Sequence, residues 1–221
     1  MLNDPIFNFA QITTVLDTAY HKGESPSVTL ISSLKKTPYH ILVSTIISLR
    51  TKDQVTLTVS MKIFEHANSI EELDALSEER LSELLYPCGF YKRKANQLKQ
   101  IARILLETND GVIPDEIDEL LKLPGVGRKT ANLVVILGFN KPGICVDTHV
   151  HRISNRIGWV ITKTPDDTEA KLREILPLEY WRSINDYMVS YGQTTCTPMS
   201  PHCSRCDLDE VCHHVGVERR R

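Results

Sequence analysis

An all-α fold follows from three features of the sequence. Segments 7–22, 40–49, 54–67 and 94–109 repeat apolar residues at spacings of three and four, the period of a helix with one buried face. Nowhere do apolar and polar residues alternate between hairpin turns as in paired strands. Gly, Pro and Asn punctuate the chain at 22–27, 35–38, 87–89, 109–111, 142–143 and 164–165, which predicts many short helices.

In 7–22 the apolar face is Ile12, Val15, Leu16 and Ala19; in 40–49 it is Ile41, Leu42, Ile46 and Leu49. Val55, Val59 and Ile63 step by four through 54–67, and Ala95, Leu98, Ala102 and Leu105 repeat through 94–109. Around the sequence LPGVGRKTAN, Leu120 and Leu123 precede a glycine turn, and Ala131, Val134 and Leu137 follow it at helical spacing, so this unit reads as helix, hairpin, helix. Another amphipathic helix follows Asp147. After residue 192 the periodicity fades and cysteines and prolines crowd together, a composition that needs a covalent or coordinate brace to hold its shape.

Composition narrows the function classes. Hydrophobic content of 41% and charged content of 24% are those of a globular chain, and no apolar run approaches the roughly 20 residues of a transmembrane helix. The segment MLNDPIFNFAQITT has neither a basic start nor a continuous apolar stretch, so the expected compartment is the cytoplasm. A net charge of -2 does not by itself mark a nucleic-acid binder. The charge is uneven, however: acids concentrate in 69–84 and 113–120, while Lys92, Arg93, Lys94, Arg128, Lys129, Arg152 and Arg156 would form a basic face if folding gathers them.

Gly125 and Gly127 permit positive φ and leave the hairpin backbone bare, so its N–H groups and those opening the next helix can face a phosphate. The same glycines also suit a plain reversal between two helices. Lys129 stands in the first turn of that helix beside Arg128, where the dipole and the neighbouring charge favour a neutral, nucleophilic amine. Asp147 occupies an N-cap position. Cys196, Cys203, Cys206 and Cys212 form a set with one Cys-x-x-Cys pair; zinc or an iron-sulfur cluster would accept four such thiolates, and spacing alone does not separate them. Cys88 and Cys145 read as buried thiols.

LPGVGRKTAN, the VDTH that follows, and Cys-x6-Cys-x2-Cys-x5-Cys together resemble the endonuclease III branch of the helix-hairpin-helix DNA glycosylases. The resemblance extends from TPYHILVSTIISLRTKD through CGFYKRKANQL to Cys212. It implies that Lys129 forms a Schiff base with the sugar C1′ and that Asp147 is its carboxylate partner. It also implies a [4Fe-4S] cluster on the four cysteines, with a structural role and a loop presenting Arg205 to DNA. Base flipping follows, with Arg50 and Phe90 at the positions that fill the vacated space. Phe90 also fits ordinary packing after a turn. Arg50 stands where this family more often carries Gln, a departure that bears on how the orphan base is read. Gly125, Val126, Gly127, Arg128, Thr130 and His149 complete the expected DNA contacts.

The resulting expectation is a two-lobed protein. Residues 31–141 would form a helical barrel containing the hairpin, and 1–30 with 142–221 a second helical domain carrying the cluster, with the active site in the cleft between them. Its activity would be that of a monomeric, bifunctional glycosylase and abasic-site lyase, acting on oxidised pyrimidines in double-stranded DNA. A monofunctional mismatch glycosylase is the nearest rival; Lys129 speaks against it, as does the short stretch after Cys212, which leaves no room for the extra domain of the adenine branch. A non-catalytic DNA-binding module is the rival from another class.

Overall fold

The computed structural model describes residues 7–22, 27–34 and 37–221. Among them the regular structure is entirely helical. In chain order the α-helices are α1 (Phe9–His21), α2 (Ser27–Leu34), α3 (Pro38–Ser48), α4 (Asp53–His66), α5 (Ile70–Ala75) and α6 (Glu78–Leu85). They continue with α7 (Tyr91–Asn109), α8 (Ile117–Leu120), α9 (Arg128–Leu133), α10 (Thr148–Ile157), α11 (Pro165–Ile175) and α12 (Ile184–Thr194). The breaks expected at 22–27 and 35–38 fall largely outside the described residues.

The chain divides into two compact units. Ser27–Gly143 is one of them, and α3 runs through its centre. Thr37 caps that helix and Pro38 occupies its first turn, where a missing N–H costs nothing. Ile41, Leu42, Val43, Ile46 and Ile47 are all buried, as are Ser44 and Thr45, so α3 is enclosed on every side, which explains why its sequence is apolar beyond a single stripe. α7 is amphipathic instead, burying Ala95, Leu98, Ile101, Ala102 and Leu105 against the same core. α9 passes into a π-helical turn at Val134–Gly138, which lies against α3; a Cβ on Gly138 would come within 2.9 Å of Pro38 Cα.

Ile144–Arg221 joins α1 in the other unit. α12 packs on α1 and α10, burying Ile12, Leu16, Val150, Ile153, Ile184 and Met188. Phe9 meets Trp159 edge-on at 5.1 Å, and the Trp181 indole donates to the Leu176 carbonyl at 2.8 Å. α10 closes with Gly158 at φ 100, a left-handed conformation that lets its N–H and that of Trp159 reach the Ser154 carbonyl.

Candidate active site and cysteine cavity

In the first unit, α8 leads into a turn in which Val126 N–H donates to the Leu123 carbonyl at 3.1 Å. Gly125 has φ +71, the conformation that requires glycine here. Gly127 begins α9 with extended backbone and nothing within 4 Å of where a Cβ would lie, so this side of the hairpin is open to a ligand. Lys129 is exposed on the first turn of α9 and Arg128 is half-buried; Val126 and Thr130 pack inward. Gln97 on α7 braces the turn by donating to the Pro124 carbonyl at 3.0 Å.

Arg50 and Phe90 sit together on the same unit. Both have left-handed backbone, at φ 53 and 58. The Arg50 guanidinium lies 5.7 Å from the centre of the Phe90 ring, and Phe90 is 59% exposed. They border an open cavity of about 330 Å³, also lined by Leu49, Arg93, Lys94, Gln97 and Gly125.

Lys94 departs from the expected basic face, because it is only 4% exposed. Its Nζ donates to the Ile47 carbonyl at 2.6 Å and to Thr51 Oγ1 at 2.7 Å, and burial pulls its pKa below the ordinary lysine value. The neighbouring Cys88 thiol is pushed up by burial. A clue was present in the sequence: Lys94 lies four residues before Leu98 on the apolar stripe of α7.

In the second unit Asp147 caps α10, its Oδ1 accepting from the backbone N–H groups of His149 at 2.8 Å and Val150 at 3.0 Å. Asp147 and His149 are half-buried. Arg156 also leaves the expected basic face. It is 8% exposed and gives its guanidinium to Cys196 Sγ at 3.3 Å, to the Thr197 carbonyl at 2.7 Å and to the Pro198 carbonyl. Arg152 likewise turns inward, donating to the Cys196 carbonyl at 2.8 Å.

Cys196, Cys203, Cys206 and Cys212 line one cavity and none is in a disulfide. Three of these sulfurs, those of Cys196, Cys206 and Cys212, have hydrogen-bond partners. Besides Arg156 on Cys196, the Tyr191 hydroxyl lies 3.1 Å from Cys206 Sγ and His214 N–H donates to Cys212 Sγ at 3.4 Å. Burial raises the thiols of Cys203 and Cys206, and that of Cys212 to about 11. Such thiols ionise when a cation offsets burial, so the donor set suits a metal centre. Asp209 and His214, hydrogen-bonded to each other at 2.7 Å, place further metal-capable atoms near Cys203. Exposed Arg205 spends one nitrogen on the Thr194 carbonyl at 3.0 Å.

Residues 43–178 match the HhH-GPD superfamily of base excision DNA repair proteins. The chain belongs to that superfamily, in its endonuclease III family. Endonuclease III of Thermotoga maritima is 48% identical over 184 residues, which cover 83% of this chain and 85% of the relative. A trapped endonuclease III–DNA covalent intermediate, an estranged-adenine complex, superposes with a TM-score of 0.79 at 30% identity, covering 94% of this chain and 96% of the other. A thermostable thymine-DNA glycosylase gives a TM-score of 0.81 at 22% identity over 93% and 95% of the two chains, a likeness of fold alone. No helix among the described residues is long and apolar enough to cross a membrane.

Proposed function

We propose that this member of the endonuclease III family removes oxidised pyrimidines from double-stranded DNA and nicks the resulting abasic site, acting as a monomer. One observation carries the reading: Lys129 is an exposed residue on the first turn after a glycine hairpin whose face at Gly127 is open. Backbone N–H groups at such a turn grip phosphate without reading sequence, which suits a search along DNA.

The chemistry follows from the two side chains. The lone pair of Lys129 Nζ attacks the sugar C1′, and the base departs with the electrons of its glycosidic bond and is protonated. Positive charge develops on the sugar as that bond breaks, and the Asp147 carboxylate stabilises it. Nζ then loses a proton, and the C1′–O4′ bond breaks with protonation of O4′, which opens the ring and leaves an iminium between C1′ and Nζ. The iminium acidifies the C2′ proton; its removal expels the 3′ phosphate by β-elimination, and water then releases Lys129 from the sugar. C1′ is unreachable inside a duplex, so the nucleotide must first be flipped out, with Arg50 and Phe90 entering the space it leaves.

Cys196, Cys203, Cys206 and Cys212 would hold a [4Fe-4S] cluster. When bound, it would cross-link the segment after α12, a structural role. The four-thiol cavity and its N–H and O–H donors support this assignment.

Borohydride reduction of the imine tests the reading on a duplex containing thymine glycol. Wild type is expected to give a covalent protein–DNA adduct and Lys129→Ala none. Base release without an adduct would instead favour a monofunctional glycosylase, and an adduct that survives Lys129→Ala would assign the amine to another residue.

A further inference from the structure

Lys94 is a cation in a costly place. It is buried, and it stands in the first turn of α7, where the helix dipole also opposes positive charge. What it holds is specific. Ile47 presents one of the last carbonyls of α3, and Thr51 lies in the short link from α3 to α4. Between them in sequence is Arg50, whose left-handed backbone is disfavoured for any residue with a side chain.

Across from that link is Gly89, where a Cβ would stand 2.7 Å from the Arg50 carbonyl oxygen. Phe90, also left-handed, comes next and leads into α7. The two strained residues thus flank a close backbone approach, and Lys94 ties α7 to the link carrying Arg50.

We propose that Lys94 is a positioning residue: its ammonium, clasped to the Ile47 carbonyl and the Thr51 hydroxyl, sets Arg50 against Phe90 so that the pair can enter an opened duplex. The inference rests on the proposed role of Arg50 and Phe90 in filling the flipped-out nucleotide's place. It assigns Lys94 no contact with DNA and no part in imine formation, which separates it from Lys129.

Comparison of two DNA substrates tests this. A single-stranded abasic oligonucleotide needs no duplex opening, whereas a thymine-glycol duplex does. Lys94→Met is expected to form the borohydride adduct on the single strand within about twofold of wild type, while single-turnover base release from the duplex falls about tenfold or more. Thr51→Val, which removes the accepting hydroxyl, is expected to repeat the duplex-specific loss, and Thr51→Ser to restore the wild-type rate. Equal losses on both substrates, or none on the duplex, would overturn the proposal. Should Lys94→Met fail to fold, the Thr51→Val and Thr51→Ser pair decides it by the same comparison. A wild type that traps neither substrate overturns the glycosylase reading and this inference with it; an adduct abolished by Lys129→Ala beside an unchanged Lys94→Met duplex rate overturns this inference alone.

Discussion

Gln97 donates from Nε2 to the Pro124 carbonyl at 3.0 Å, so a residue two turns into α7 fixes the hairpin that precedes Lys129. The turn has little room to change. A Cβ on Gly125 would strike that same Gln97 amide, and the φ of +71 strains any side chain.

Gly125→Ala is therefore expected to destabilise the protein by about 1–3 kcal/mol, combining backbone strain with displacement of Gln97. Gly127→Ala should change stability by no more than about 0.5 kcal/mol, since its Cβ meets nothing within 4 Å. If this open face holds a phosphate, Gly127→Ala still weakens DNA binding. Denaturant melts paired with duplex affinity at fixed salt separate the two effects; unchanged affinity in Gly127→Ala would remove that residue from the DNA contact.

Much of this arrangement was legible because its signals are local. The hairpin glycines, the N-cap at Asp147 and the four cysteines each announce themselves within a few residues, and the segment expected at 94–109 lies within α7, observed as Tyr91–Asn109. The extra first turn escaped because Phe90 opens it from a left-handed conformation without a capping side chain. α5 and α6 were passed over as acidic stretches although Ser69 and Ser77 cap them, a readable signal. Lys94 and Arg156 lie inside rather than on the expected basic face for a different reason. Their partners, Ile47 and Thr197, are 47 and 41 residues away, so no local pattern reports the carbonyls that draw these cations inside.

Asp147 combines a cap with a charge, and substitution can separate them. Asn caps a helix about as well as Asp, whereas Ala loses about 1 kcal/mol. Asp147→Asn is thus expected to melt like wild type and Asp147→Ala lower, while both lose the bulk of base release. An Asp147→Asn variant that retained full turnover would reduce the residue to its capping role.

Lys94 also makes stability depend on pH with a definite sign. Its folded pKa lies below the ordinary 10.5 because burial opposes the charge, so the unfolded chain binds more protons between the folded value and 10.5. The Lys94 contribution is accordingly greatest above 10.5 and is lost as pH falls through the folded value. Subtracting the Lys94→Met profile from wild type should leave a term that rises with pH through this window. The Cys88 thiol beside it, raised by burial, contributes in the opposite direction above its ordinary 9.0, so the comparison is cleanest with Cys88→Ala in both proteins. A flat difference would mean that the amine is not held as described.

Arg156 joins α10 to the cysteine segment through Cys196 Sγ and the Thr197 and Pro198 carbonyls. Arg156→Met removes these donors while keeping much of the side chain's volume, leaving acceptors without a charged partner. The expected cost is at least about 1.5–3 kcal/mol, the value of one hydrogen bond to a charged group, since all three are removed. Removal of the proposed cluster should act on the same segment by a different route, leaving one buried and three half-buried thiols in a cavity without a cation. Limited proteolysis distinguishes local from global damage: both treatments are expected to expose new cleavage sites within 195–217 before any appear in Ser27–Gly143. Simultaneous cleavage throughout the chain would show that the cysteine site and Arg156 support the whole fold.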